Sequence, residues 1–194
     1  MANEGFAESL PRFAAEPIQT ERLVLRQWVA SDREGFAAMG ADDEVMRYFP
    51  AKQTREQSDA SVDRFEAGIA SRGWGLWAVE HDGQFIGFTG LAVPTFDAPF
   101  LPGVEIGWRF ARRAWGNGFA TEAARAALVV AFDRLGLDEV LSFTAVQNQP
   151  SRRVMARLGM TTSGADDFEH PLIEAGSPVR SHVLYRLARP ARPA

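Results

Sequence analysis

Gly116 and Gly118 stand one residue apart where a strand-like run, Val104 to Phe110, gives way to a long helical pattern starting near Gly118. Glycine takes backbone angles closed to other residues and lets main chain approach a ligand closely. The first turn of the helix behind it leaves N–H groups without intrahelical partners. These groups and the helix dipole attract anions, phosphates above all. Arg113, just upstream, adds a forked and permanently charged donor. The pattern reads as a phosphate cradle at a strand-to-helix junction; the plainer reading is a glycine-bearing turn before an ordinary helix. Two familiar phosphate loops do not fit. The chain has no G-x-x-x-x-G-K-[ST], and Gly118 is followed by Phe119, Ala120 and Thr121, without the third glycine of a dinucleotide fingerprint.

Few other residues are equipped for chemistry. The absence of cysteine removes disulfides, thiolate metal sites and cysteine nucleophiles. His81, His170 and His182 are scattered and lack metal-ligand spacing. Glu105 sits among Val104, Ile106, Trp108 and Phe110, where a carboxylate must be solvated, paired or functional. Arg109 shares its face of the strand and is its obvious pairing partner. A formal net charge of −4 argues against general nucleic-acid binding. Yet Arg112, Arg113, Arg152 and Arg153 gather near the glycine-bearing segments, which suits a compact anionic ligand or, more plainly, a solvated arginine face.

The elements that must position these residues follow from periodicity. Arg22 to Trp28 reads as a strand. Ser31-Asp32-Arg33-Glu34 is a capping-box pattern opening a short helix, and Thr54-Arg55-Glu56-Gln57 is a second, opening a helix to about Ser71. Trp74 to Glu80 alternates, Asp82-Gly83 signals a hairpin, and Gln84 to Val93 returns. Val104 to Phe110 alternates strictly after a proline-bearing loop. Gly118 to Leu135 places Phe119, Ala123, Ala127, Val130 and Ala131 along one side of a helix that Gly136 stops. Val140 to Val146 is a strand, Pro150 to Leu158 a short helix, and Thr161 to Phe168 and Arg180 to Leu187 late strands. The order β-α-α-β-β-β-α-β-α-β-β describes an α/β (α+β) chain with a mixed, mostly antiparallel sheet. A βαβ crossover around the glycine junction gives it one central parallel pair. Trp74, Trp77, Phe85, Trp108 and Phe143 read as core side chains.

With 194 residues, 46% of them hydrophobic, the chain suits one domain with a substantial core. Residues 1–17 read as a loose tail, 18–188 as the domain and 189–194 as a C-terminal tail. No apolar run approaches the ~20 residues of a membrane helix. Glu4, Glu8 and Glu16 occupy the first 17 residues in place of the apolar stretch of a secretory signal. A cytoplasmic protein with neither membrane nor nucleic-acid partner is expected.

Element order and junction together resemble the GNAT superfamily of acyl-CoA-dependent N-acetyltransferases. That family carries [RQ]-x-x-G-x-[GA] here, matched by Arg113-Ala114-Trp115-Gly116-Asn117-Gly118, and Phe119-Ala120-Thr121-Glu122-Ala123 resembles its helix start. Asn148-Gln149-Pro150-Ser151 followed by Leu158-Gly159-Met160 is similar to the branch that includes ribosomal-protein-alanine acetyltransferases of the RimJ/RimL type. Thr20-Glu21-Arg22-Leu23-Val24-Leu25-Arg26 resembles that branch's opening strand. The resemblance covers about Ile18 to Leu187.

The resemblance implies acetyl-CoA as co-substrate, no metal, and acetyl transfer to a primary amine by direct attack in a ternary complex. The acceptor would be a protein N-terminus or a small molecule, and a homodimer is compatible with it. The pyrophosphate would lie over Gly116, Asn117 and Gly118, with Arg113, Ala120 and Thr121 alongside. The pantetheine arm would run between splayed parallel strands, meeting Trp108, Phe110, Asn148 and Arg152. Glu105 is the implied base, through water, and Ser151 the implied acid for the departing sulfur. The family often uses a tyrosine for that acid, and neither Tyr48 nor Tyr185 falls in the short helix. Ser151 can equally be a first-turn helix residue, and Asn148 simply a cap. Two other readings stay open: a non-catalytic acyl-CoA-binding or sensing domain of this fold, and an unrelated nucleotide-binding α/β protein.

Overall fold

The computed structural model describes residues 2–191. Met1 and residues 192–194, parts of the two expected tails, lie outside the described residues. The strands are β1 (Ile18–Gln19), β2 (Val24–Arg26), β3 (Leu76–His81), β4 (Gln84–Ala92), β5 (Glu105–Phe110), β6 (Glu139–Ala145), β7 (Thr161–Thr162), β8 (Phe168–Glu169) and β9 (Ser181–Ala188). Among the described residues they form one nine-stranded sheet in the order β1-β2-β3-β4-β5-β6-β9-β7, with β8 also paired to β9. Every pairing is antiparallel except β5 with β6. The mixed sheet with one central parallel pair is the expected fold.

The helices are α1 (Ala2–Ser9), α2 (Asp32–Ala41), α3 (Asp43–Met46), α4 (Arg55–Arg72), α5 (Phe119–Val129) and α6 (Gln149–Arg157). On one face of the sheet, Trp28, Phe36 of α2, Phe65 of α4 and Phe88 of β4 pack ring to ring, with centroids 5.4 to 6.4 Å apart. Truncating one such buried ring costs about 3–5 kcal/mol. On the other, α5 crosses from β5 to β6 and packs against β4 and β5 through Phe119, Ala123 and Ala127, the two alanines letting helix and sheet approach closely. A π-helical turn, Val130–Arg134, extends it before Gly136, at φ 71°, ends the helical run.

Local chemistry accounts for most boundaries. Asp82 and Gly83 both take positive φ, 49° and 74°, as a tight hairpin turn requires. The Thr54 box closes: Thr54 Oγ1 accepts from Gln57 N–H at 3.2 Å and Gln57 Oε1 accepts from Thr54 N–H at 2.9 Å. The Ser31 box does not form, and Ser31 makes no side-chain cap. Asp32 governs that corner instead, accepting from Val29 N–H at 3.0 Å and pairing with Arg26 at 2.7 Å. Arg26 also reaches Glu80 at 2.7 Å, tying β2, β3 and α2 together.

Two further expectations are corrected. Residues 2–9, read as loose tail, form α1, because tertiary contacts supply what weak periodicity lacks. Phe6 packs on the core and Asn3 Nδ2 donates to the Phe96 carbonyl at 2.7 Å. The strand expected over Thr161–Phe168 splits into β7 and β8 around a 3-10 turn at Gly164–Asp166, which Ser163 caps by accepting from Ala165 N–H.

Candidate active site

The parallel pair holds register at a single point, Glu105 opposite Leu141. Leu141 N–H donates to the Val104 carbonyl at 2.9 Å and Ser142 Oγ to the Ile106 carbonyl at 2.8 Å. Beyond that apex β5 and β6 diverge. Ala111 N–H donates to the Ile86 carbonyl at 2.9 Å. Alternate residues of an antiparallel pair exchange hydrogen bonds, so odd-numbered residues of β5 bond to β4 and even-numbered ones turn toward β6. The Ile106 carbonyl is taken by Ser142, and the Phe110 carbonyl accepts from Trp115 Nε1 at 2.8 Å. Between them the Trp108 main chain lies on an open strand edge.

A cavity of about 770 Å³ occupies this opening and reaches the start of α5. That is an ordinary volume for a small-molecule or cofactor site. Gly116 and Gly118 both sit at φ 80°, and no side chain caps α5. A Cβ on Gly116 would meet nothing within 4 Å, and one on Gly118 only Arg22 Nη2 at 3.6 Å. Backbone conformation therefore requires these glycines, and open space stands over the first-turn N–H groups. The chemistry of this donor set fits a pyrophosphate at the helix start and an amide-bearing arm along the strand edge.

Of the residues singled out for the co-substrate, Trp108, Phe110, Gly116, Gly118, Ala120, Thr121 and Asn148 line the cavity. Arg113, Asn117 and Arg152 do not. Arg113 Nη2 donates to the Phe85 carbonyl at 2.6 Å, and Asn117 Nδ2 to the Trp115 carbonyl at 3.1 Å. Arg152 donates to the Val146 carbonyl at 3.0 Å and to Tyr185 Oη at 3.4 Å. The cations near the cavity mouth are others: Arg153 and Arg157 line it. Arg22 stands beside Gly118, donating to the Asn117 carbonyl at 3.1 Å and paired with Glu122 at 2.6 Å.

Glu105 and Ser151 both line the cavity. The plainer alternative for Glu105, an ion pair with Arg109, does not form; Arg109 turns to Gln53 and Phe49 instead. Burial without a compensating partner pushes the Glu105 carboxyl up to about 8. Its oxygens are not sealed from the cavity. Ser151 opens α6 beneath its cap: Asn148 Oδ1 accepts from Ser151 N–H at 3.2 Å, while Asn148 Nδ2 donates to Ser151 Oγ at 3.1 Å and to Thr144 Oγ1 at 2.8 Å. Ser151 is thus both a first-turn residue and a cavity hydroxyl.

Sequence reasoning missed the wall opposite β5. Tyr48, Phe49, Phe143, His170 and His182 line the cavity from elements far apart in the chain. The imidazoles of His170 and His182 lie 5.0 Å apart by centroid. Burial, with His182 alongside, pushes His170 down to about 4. Burial also lowers His182, so both rings are neutral at pH 7. Phe143 was read as core and instead faces the opening. Of these, only His170 stands beside a local sequence signal, the acidic run Asp166-Asp167-Phe168-Glu169.

Residues 22–161 match the family model described as Acetyltransferase (GNAT) domain. The FsC-acetyl coenzyme A-N(2)-transacetylase of Aspergillus fumigatus is 34% identical over 155 residues, covering 76% of this chain and 66% of that protein. A GNAT-family acetyltransferase structure from Bacillus anthracis is 25% identical with a TM-score of 0.72, covering 89% of this chain and 98% of that one. Mycobacterium smegmatis RimJ, solved in complex with CoA-disulfide, is similar in fold alone: 23% identical, TM-score 0.68, over 86% of this chain and 81% of that one.

Proposed function

The chain belongs to the GNAT acetyltransferases, and from that premise we propose that it transfers the acetyl group of acetyl-CoA to a primary amine by direct attack in a ternary complex. The observation that carries the reading is one cavity that joins the αL glycines, the open Trp108 edge and an unpaired Glu105. The N–H groups of Gly116 to Ala120 hold the pyrophosphate, and the β5 edge holds the pantetheine arm with Asn148 across from it. Bound acetyl-CoA supplies the acyl group and a leaving thiolate whose conjugate acid has a pKa of ~8.5.

The chain's own residues do the rest. A free N–H on the β5 edge is the donor placed to polarise the carbonyl oxygen. Glu105, half-ionised near pH 8, is matched to removing a proton from an ammonium group through one water, since a base works best near the operating pH. Ser151 Oγ, held by Asn148, can return a proton to sulfur, but the thiolate leaves tolerably unaided. Element layout and the Asn148–Ser151 and Leu158–Gly159–Met160 motifs support a place near the RimJ/RimL type.

The test is thiol release from acetyl-CoA across a panel of amines, with ATP and CoA compared as ligands. Amine-dependent release with CoA binding is the expected result. CoA binding with no release for any amine would leave a sensing domain, and tighter binding of ATP than of CoA would remove the assignment altogether.

A further inference from the structure

Arg26 and Arg109 are both largely withdrawn from water, in surroundings that differ in kind. Arg26 meets Asp32 and Glu80, each at 2.7 Å. Arg109 has no carboxylate within 4.0 Å among the described residues. Burial lowers its pKa to about 10, which leaves it charged at neutral pH. Its guanidinium sits among aromatic rings, with Cζ 4.1 Å from the Phe49 centroid and 5.6 Å from that of Phe88. Nη1 donates to Gln53 Oε1 at 3.3 Å, and Nε is sealed without a partner. Nη2 makes no hydrogen bond among the described residues and is not sealed, and Arg109 lines the cavity. Cation–π contacts return only part of the hydration such a group gives up. The rings do confine it, and a confined forked donor is suited to meet a carboxylate edge-on.

Position says whose carboxylate. Arg109 and Glu105 share one face of β5, with Gly107 between them. A Cβ on Gly107 would meet only Glu105 Oε1, at 3.9 Å, so the floor between base and guanidinium is open. Two residues of strand, ~7 Å, separate Gly107 from Arg109. The cradle at Gly116 and Gly118 lies at the start of α5, and α5 packs on the opposite face of β5, so the phosphates of CoA are not candidates for Arg109. Glu44, the other acidic wall residue, is exposed at the rim and unpaired with Arg109.

We propose that Arg109 binds a carboxylate of the acceptor, which makes that acceptor a compact amino carboxylate, an amino acid or near analogue, its amine presented over Gly107 toward Glu105. The inference rests on the transferase reading above and narrows its acceptor. Phe49, Tyr48 and Phe143 give the remaining wall an apolar, aromatic character, so side chains of that kind fit it best. An acceptor without the carboxylate leaves Arg109 buried and unpaired, and discrimination against it is correspondingly steep, because a site built to bond a polar group rejects the analogue that lacks it.

The experiment compares acceptors in triplets: an amino acid, its carboxamide and its decarboxylated amine, for all standard side chains and several non-α amino carboxylates. A short peptide with an acidic first residue carries the carboxylate on a longer frame. Each is assayed by thiol release, and by its effect on melting temperature with CoA present, for the native protein and for Arg109→Gln and Arg109→Lys. The native protein should prefer at least one amino carboxylate over its two partners by at least ~100-fold in kcat/KM. Arg109→Gln should bring that ratio to within ~3-fold, and Arg109→Lys should keep an intermediate one. The ratio within the native protein needs no variant, and retained CoA binding reports that each variant is folded. Turnover with equal rates across the triplets overturns the carboxylate anchor and leaves the transferase reading standing. So does a KM rise in Arg109→Gln for acetyl-CoA alone, or preference for the peptide over every free amino carboxylate. Stabilisation by an amino carboxylate that is lost in Arg109→Gln, without turnover of any amine, keeps the anchor and removes the transferase. Neither turnover nor stabilisation removes both.

Discussion

Glu105→Gln is the sharpest probe of the chemistry. Burial places the Glu105 carboxyl at about 8. A group with that pKa is ~0.1 ionised at pH 7 and ~0.9 at pH 9, so base-assisted kcat/KM should climb about tenfold over that interval. An acceptor whose amine has a pKa of ~10.4 keeps its proton well past that point. With such an acceptor the native profile should rise, bend near pH 8 and level off before the amine loses its proton. In Glu105→Gln the bend should vanish and the rise should continue to the amine's own pKa. General-base assistance is typically worth ~10²–10⁴ in rate. The loss should therefore be of that order below pH 8 and shrink above pH 10. The linkage sign gives a second readout. The folded pKa lies above the ordinary carboxyl value of 4.5, so the native state binds more protons between those limits. This stabilisation is full below about pH 4.5 and lost as pH rises through about 8. Relative to the native protein, Glu105→Gln should gain stability across that window. Initial-rate profiles and urea titrations from pH 6 to 10 would measure both. A bend near pH 8 that survives in the variant, or an equal loss at every pH, would show that Glu105 holds structure or substrate and moves no proton.

Gly118→Val must place a β-branched residue at φ 80°, a strain of about 1–3 kcal/mol, directly over the cradle. Initial rates should show KM for acetyl-CoA raised ~10-fold or more and KM for the acceptor little moved; unchanged CoA affinity would sink the cradle. Ser151→Ala should lower kcat by less than ~10², at the foot of the general-acid range, since the hydroxyl already accepts from Asn148; a larger fall would make Ser151 an obligatory acid. Asn148→Ala removes the α6 cap, worth about 1 kcal/mol, together with a cavity amide, so calorimetry should find lower stability and kinetics a higher KM for acetyl-CoA. Asp32→Ala strips a buried partner from Arg26 and should cost about 3 kcal/mol in urea unfolding, with the acetyl-CoA KM unmoved because the pair lies away from the cavity.

What the sequence revealed and what it hid divide along a physical line. Glycines at Gly116 and Gly118, the Asp82–Gly83 turn, the Thr54 box and the strand alternation are local signals, each read within a few residues, and they carried the fold and the positive-φ glycine junction. Side-chain direction is not local. Arg113 was read as facing phosphate, yet the Phe85 carbonyl, 28 residues upstream, captures it. Arg152 goes to Val146 and Tyr185 while Arg153 and Arg157 face the cavity, a one-residue rotation on a helix that no pattern announces. Arg109 looked like the partner of Glu105 because both lie on one face of a strand. The loop bearing Phe49 and Gln53, nearly sixty residues away, supplies its neighbours instead. Ser31 looked like a cap until Arg26 and Asp32 claimed the corner. The helix over residues 2–9 depends on Phe6 and Asn3 meeting distant partners, so weak periodicity hid it.

In direct transfer the acetyl group passes straight to an amine held in the cavity that contains Glu105. Acetyl-CoA labelled in the acetyl group, mixed with excess protein and quenched within one turnover, tests it most directly. Direct transfer leaves no label on the protein in the absence of acceptor. When an amine is present, the label should appear on that amine in step with release of one thiol. Label retained on the polypeptide, or thiol released with no labelled amine, would contradict it.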